Sequence, residues 1–179
     1  MSDLSLISKT LSYILRHSDI EKDKKGYVDI NMILNNPKLK KYGITFETIK
    51  YIVDNDKKNR YKLSDDNKLI RANQGHSKQY SLEIGDEIDS NIMFAYHGTS
   101  IKNSKKIMIN GLSRMNRSHI HMVENKKNVL HYSEIIIQID IKKAQELGIK
   151  FIKSENNYIL STGDKDNIIP PECLSIVPV

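Results

Sequence analysis

The apolar period of this chain changes between residues 53 and 60, and that change limits what its first half can become. Up to Val53 apolar residues recur every three or four positions, whereas from Arg60 they alternate. Leu4, Ile7, Leu11 and Ile14 form one stripe, which predicts a helix over about 4–17. Asp29 is placed to cap a short helix carrying Ile30, Ile33 and Leu34, ending at Asn35-Asn36-Pro37. Thr45 is placed to cap a third, with Phe46, Ile49, Ile52 and Val53 on its buried face. Residues 60–63 (RYKL) and 68–72 (KLIRA), separated by Ser64-Asp65-Asp66-Asn67, read as a β-hairpin. Three helices followed by a hairpin is the element order of a winged-helix module.

Charge divides the chain in the same place. Residues 1–80 hold 16 Lys and Arg against 10 Asp and Glu, while residues 81–179 hold 12 of each, so the whole excess of +6 lies in the first part. Clustered cations attract phosphates and release counterions on binding, which points to a polyanion partner for that part; a Lys-rich surface arising from compositional bias is the plain alternative. Residues 81–91 (SLEIGDEIDSN) carry four acids and no Lys or Arg. This shift sets the expected organisation: a basic lobe at 1–80, a connecting segment at 81–91 and a second lobe at 92–179.

The second lobe should hold a strand at 93–97, a helix over 100–110 closed by Gly111, and a short strand with His119 and His121. An apolar strand at 134–140, a helix over 141–147 ended by Gly148, and extended segments at 150–153 and 157–161 follow. The fold class is therefore α+β. At 179 residues the chain suffices for one domain or two small lobes. Its longest apolar stretch, at 134–141, is far too short to span a bilayer. No secretory signal is visible in MSDLSLISK, and the lone Cys173 excludes an internal disulfide, so a cytoplasmic setting is expected.

Arginine is the informative residue, because 23 Lys accompany only Arg16, Arg60, Arg71, Arg114 and Arg117. The guanidinium grips a phosphate through two hydrogen bonds, where Lys offers a point charge. Arg16 and His17 end the first helix in LSYILRH, where a cation also has a plain role at the helix dipole. Arg71 opens RANQGHS, a dense polar run past the predicted hairpin in which Gly75 permits a tight turn. Asn73, Gln74, His76 and Ser77 there offer donors to an anion, or form an ordinary loop. Arg117 lies in GLSRMNRSHIH. His97-Gly98-Thr99 sits at a strand-to-helix turn. His119 and His121, two apart on a strand, face the same way, but zinc needs three or four ligands and Cys173 is remote, so no metal is expected.

In this order, SKTLSYILRH, IRANQGHS, YHGT, GLSRMNRSHIH, ELGIKFIKSENNYILST and IPPECL resemble the KptA-type RNA 2′-phosphotransferase family, over nearly the whole chain. The resemblance implies a winged-helix lobe joined to an ADP-ribosyltransferase-like lobe that binds NAD. It also implies a two-step reaction in which NAD is consumed. The 2′-phosphate of a spliced RNA, a tRNA, displaces nicotinamide from C1″ of the ribose to give an RNA 2′-phospho-ADP-ribose intermediate. O2″ then attacks the phosphate, releasing RNA with a 2′-hydroxyl and ADP-ribose 1″,2″-cyclic phosphate.

By the same resemblance Arg16, His17, Arg71 and Arg117 match the catalytic quartet, and the anion met by Asn73, Gln74, His76 and Ser77 is an RNA phosphate. His97, Gly98 and Thr99, with Ser113, His119 and His121, match the NAD site, the bare Gly98 backbone approaching the nicotinamide or its ribose. A monomer is expected. The chain departs from the family pattern in a shortened 122–133 segment and in Asn156-Asn157 where Asn-Gly is usual. No carboxylate base stands out, and an anionic phosphate needs none to attack. Two other readings stand beside this one: an ADP-ribosyltransferase that stops after the first step on a nucleic-acid terminal phosphate or a protein, and a non-enzymatic winged-helix nucleic-acid binder.

Overall fold

The computed structural model describes residues 3–77 and 85–178. The chain divides into two compact units, Met1–Ile84 and Gly85–Val179. The predicted segment 81–91 falls partly outside the described residues, at 81–84.

In the first unit, α1 (Asp3–His17) buries Ile7, Leu11, Ile14 and Leu15 along one face. A two-residue strand, β1 (Val28–Asp29), leads into α2 (Ile30–Leu34), capped by Asp29, whose carboxylate accepts from the Asn31 amide. Then come α3 (Pro37–Lys40), α4 (Phe46–Asp54), β2 (Tyr61–Leu63) and β3 (Leu69–Ala72). The hairpin forms with Tyr61 opposite Ala72 and Leu63 opposite Ile70, and β1 adds to β3 through Val28 and Ile70. The unit thus has a fourth helix and a third strand beyond the expected three helices and hairpin. Asn35-Asn36-Pro37 ends α2, but Asn36 also caps α3, with Pro37 at the first helical position where its missing N–H costs nothing. The core gathers Leu11, Ile14, Ile33, Leu39, Ile49 and Ile70.

The second unit opens with β4 (Asp86–Glu87), so these acids form an edge strand where connecting chain was expected. There follow β5 (Phe94–Thr99), α5 (Ile101–Asn110), β6 (Leu112–Ser113) and β7 (Ile120–Val123). The chain continues through β8 (Ile135–Asp140), α6 (Ile141–Glu146), β9 (Ile152–Lys153), β10 (Tyr158–Ser161), β11 (Ile168–Ile169) and β12 (Leu174–Val177). Among the described residues seven strands form an antiparallel sheet in the order β12-β8-β5-β7-β10-β9-β4, and β6 pairs with β11 separately. Ala95, Met122, Ile137, Ile139 and Ile159 pack on its inner face. Asn157 adopts φ 62° at the β9–β10 turn, the left-handed conformation that short polar side chains tolerate. The fold class is α+β. No described helix is long and apolar enough to cross a membrane.

Candidate active site

In the first unit the polar run after β3 turns back onto the end of α1. The Ser77 amide donates to the Arg16 carbonyl at 3.1 Å, satisfying one of the acceptors that every helix leaves at its C-terminus. His17 Nδ1 lies 3.0 Å from Ser77 Oγ. Gly75 has φ +87°, a conformation that other residues rarely adopt, so the glycine gives the loop its turn beside Arg16. Two motifs some 60 positions apart in sequence therefore meet.

Arg71, on β3 and 7% exposed, donates to the Lys25 carbonyl at 3.2 Å and lies 4.8 Å over the Tyr27 ring. Cation–π stacking and a backbone acceptor together fix the direction of its fork. Two of the expected RNA contacts are placed differently. Asn73 is 5% exposed and gives its amide to the Asn59 and Tyr61 carbonyls, closing the mouth of the hairpin. His76 is fully buried. Neither presents its side chain to solvent, whereas Gln74 and Ser77 are half-buried.

The second unit holds a cavity of about 620 Å³, the size of a site for a small ligand or cofactor. Its walls include His97, Thr99, Ser113, Arg117, His119 and His121; His97-Gly98-Thr99, expected as a strand-to-helix turn, are the last residues of β5, paired with β8, and that strand end and the run after α5 face one space. His97 Nδ1 is 2.9 Å from the His121 carbonyl, and since a carbonyl only accepts, Nδ1 carries the proton and Nε2 is an acceptor. Burial holds His97 below the ordinary imidazole value, with the Arg117 charge adding to it against the bond to His121. His119, 6% exposed, is lowered to about 4 by burial and by Arg114. Both rings are neutral at pH 7.

Gly98 does not line this cavity. A Cβ on it would run into Ser133 Oγ and lie 2.5 Å from Val129 Cγ1, so the residue is bare because the 129–133 segment packs on it. Arg114 is a clasp, donating to the Arg117 and Ser118 carbonyls at 3.2 and 3.4 Å. Ser113 Oγ accepts from the Met115 amide and shapes the same loop. Arg117 itself is exposed.

Sequence reasoning overlooked Asn103, Lys106 and Asn110, which line the cavity from one face of α5. Their spacing of three and four was the available signal. With Arg114 and Arg117, Lys106 gives the walls three cations, and none of the described lining residues is acidic. That balance suits a ligand carrying phosphates, as a dinucleotide does. Among the described residues no cluster of three or more His, Cys, Asp or Glu is arranged to hold a metal ion.

Comparison with known proteins agrees with this arrangement of motifs. Residues 2–163 match the family model described as RNA 2′-phosphotransferase, Tpt1/KptA family. The chain is 33% identical to the zebrafish (Danio rerio) protein named tRNA 2′-phosphotransferase 1, over 92% of this chain and 81% of that one. It is 33% identical to a Thermococcus kodakarensis protein named "Probable RNA 2′-phosphotransferase", over 95% of both, and 34% identical to one so named from Fusobacterium nucleatum, over 87% and 91%. With a match spanning both units and including the Arg- and His-bearing runs, the chain belongs to the RNA 2′-phosphotransferase, Tpt1/KptA family.

Proposed function

We propose that this chain is an NAD-dependent RNA 2′-phosphotransferase that removes an internal 2′-phosphate, from a tRNA, through an RNA 2′-phospho-ADP-ribose intermediate. The first unit is read as a winged-helix lobe that holds the RNA and the second as an ADP-ribosyltransferase-like lobe that holds the dinucleotide. The protein is read as a cytoplasmic monomer, a setting in which the free, buried Cys173 stays reduced. The observation that carries the reading is the cavity of the second unit, where His97, Thr99, Ser113, Arg117, His119 and His121 share one space with no acid on its walls.

NAD⁺, the co-substrate, supplies an electrophilic ribose carbon and nicotinamide as leaving group. Its phosphates match the cations of the cavity, and the neutral His97, an acceptor at Nε2, suits a ribose hydroxyl. Arg16, Arg71 and Arg117 are the groups that neutralise and orient the RNA phosphate, which is nucleophile in one step and electrophile in the next. Arg71 is prepared for this by its fixed fork. His17 handles the proton of the second step, where O2″ loses one and the leaving 2′-oxygen gains one. Asn73 and His76 serve the RNA through the loop they hold, Gln74 through its side chain.

Incubation with a 2′-phosphorylated oligonucleotide tests the reading. Dephosphorylation that needs NAD⁺ and releases nicotinamide supports it, and dephosphorylation at the same rate without NAD⁺ overturns it.

A further inference from the structure

His17 is the last residue of α1 and is exposed; Tyr13 of the same helix has its ring 5.7 Å away, a contact that does not decide which ring nitrogen carries the proton. Ser77 reaches His17 from the loop after β3, with Oγ 3.0 Å from Nδ1. We infer that Ser77 is a positioning residue whose Oγ accepts a hydrogen bond from His17 Nδ1–H, holding one tautomer and leaving Nε2 as the atom that carries the proton. The inference rests on the proposed part of His17 in the second step.

Three observations carry it. The position of Ser77 is set by its backbone, because its amide is bonded to the Arg16 carbonyl at 3.1 Å, one residue before the ring. The turn that delivers it depends on Gly75, whose bare α-carbon faces the Arg16 guanidinium. The partner is a hydroxyl, which can accept from Nδ1–H and carries no charge, so it can hold the ring without favouring the imidazolium as a carboxylate would. His97 shows the other solution in the same chain, its Nδ1–H spent on a backbone carbonyl. With Nδ1–H on Ser77, as inferred, the bond at one ring nitrogen of His17 likewise decides what the other does.

With Nδ1–H on Ser77, neutral His17 offers a lone pair at Nε2. In the second step O2″ forms its bond to phosphorus and gives its proton to Nε2. The bond from phosphorus to the RNA 2′-oxygen breaks, and that oxygen takes the proton back from Nε2–H. Nδ1 keeps its proton throughout, so Ser77 need not move. A ring in the opposite tautomer has no lone pair at Nε2 and cannot begin the step.

The test combines single-turnover kinetics with ¹⁵N NMR of the histidine rings in the full chain, for the native protein, Ser77→Ala and Ser77→Thr. The expected native result is neutral His17 as the Nδ1–H tautomer, retained in Ser77→Thr and mixed in Ser77→Ala. Loss of such an orienting partner costs about 10- to 100-fold, so Ser77→Ala should slow the second step by that factor and accumulate intermediate. Ser77→Thr should restore the rate. A native Nε2–H tautomer overturns the inference, as does a Ser77→Ala protein with native second-step rate. Should Ser77→Ala fail to fold, the native tautomer and Ser77→Thr decide it. If the native protein leaves the 2′-phosphate intact, the proposed function fails while the NMR arm still judges the contact.

Discussion

Replacing Gly98 by Ala asks why β5 is bare at that position. Gly98 lies in β5 and is not among the positive-φ glycines, so its backbone conformation is open to any residue. The obstacle is packing: the new Cβ would lie 2.5 Å from Val129 Cγ1 and 2.8 Å from Ser133 Cβ, with Ser133 Oγ closer still. Carbon atoms attract best at about 3.5–4.0 Å, so the 129–133 segment has to retreat by roughly 1 Å. Overpacking of this kind costs about 1–3 kcal/mol. For a unit of this size each kcal/mol lowers Tm by about 4–8 °C, so a drop of at least about 4 °C is expected. Thermal melts of Gly98→Ala, Ser133→Gly and the pair together measure it. Ser133→Gly removes one of the two obstructions, so the loss caused by Gly98→Ala should be smaller in that background. A Gly98→Ala protein that melts with the native one yet loses NAD⁺ binding refutes the packing argument and returns the glycine to the ligand.

His119 makes stability fall in acid: its folded value of about 4 lies below the ordinary 6.5, so the unfolded chain binds the extra proton first. Stability is then lost from about pH 6.5 down to about 4, by on the order of 3 kcal/mol, and His119→Gln should flatten that part of the curve in melts across the range. Arg16→Lys, Arg71→Lys and Arg117→Lys keep the charge but lose the two-pronged grip, costing about 1.5–3 kcal/mol or about ten- to a hundred-fold in rate. At least one should accumulate the RNA 2′-phospho-ADP-ribose species as a slower gel band, and native speed in all three contradicts the assignment. RNA affinity of the whole chain should fall linearly with salt on a log–log plot, and no change between low and high salt removes the electrostatic argument.

What was legible in the sequence was what short-range chemistry dictates. Asp29 announced its helix because its carboxylate accepts from the Asn31 amide two residues on, and the Thr45 amide donates to Thr48 Oγ1 across the first turn of α4. The alternation of 60–63 and 68–72 announced the hairpin. The Asn36-Pro37 pair misled because the residues that stop one helix also start another. The strands β1, β4, β6 and β11 have two residues each, too few to show a period, and exist through partners distant in sequence. At the site, His97, Thr99, Arg117, His119 and His121 were named from their motifs and line one cavity. The α5 face was overlooked because polar residues at that spacing look the same facing a cavity or solvent. Asn73 and His76 show the converse, since a dense polar loop does not reveal which members turn inward.

The fate of the phosphate decides whether the reaction runs in two steps. ³¹P NMR of a reaction containing NAD⁺ and a 2′-phosphorylated oligonucleotide follows it atom by atom. The prediction is loss of the RNA 2′-phosphate resonance matched by an equal amount of ADP-ribose 1″,2″-cyclic phosphate, with one nicotinamide released per phosphate removed. A native protein that instead leaves the phosphate on the RNA as a stable ADP-ribosyl adduct, or releases it as inorganic phosphate, contradicts the two-step reaction.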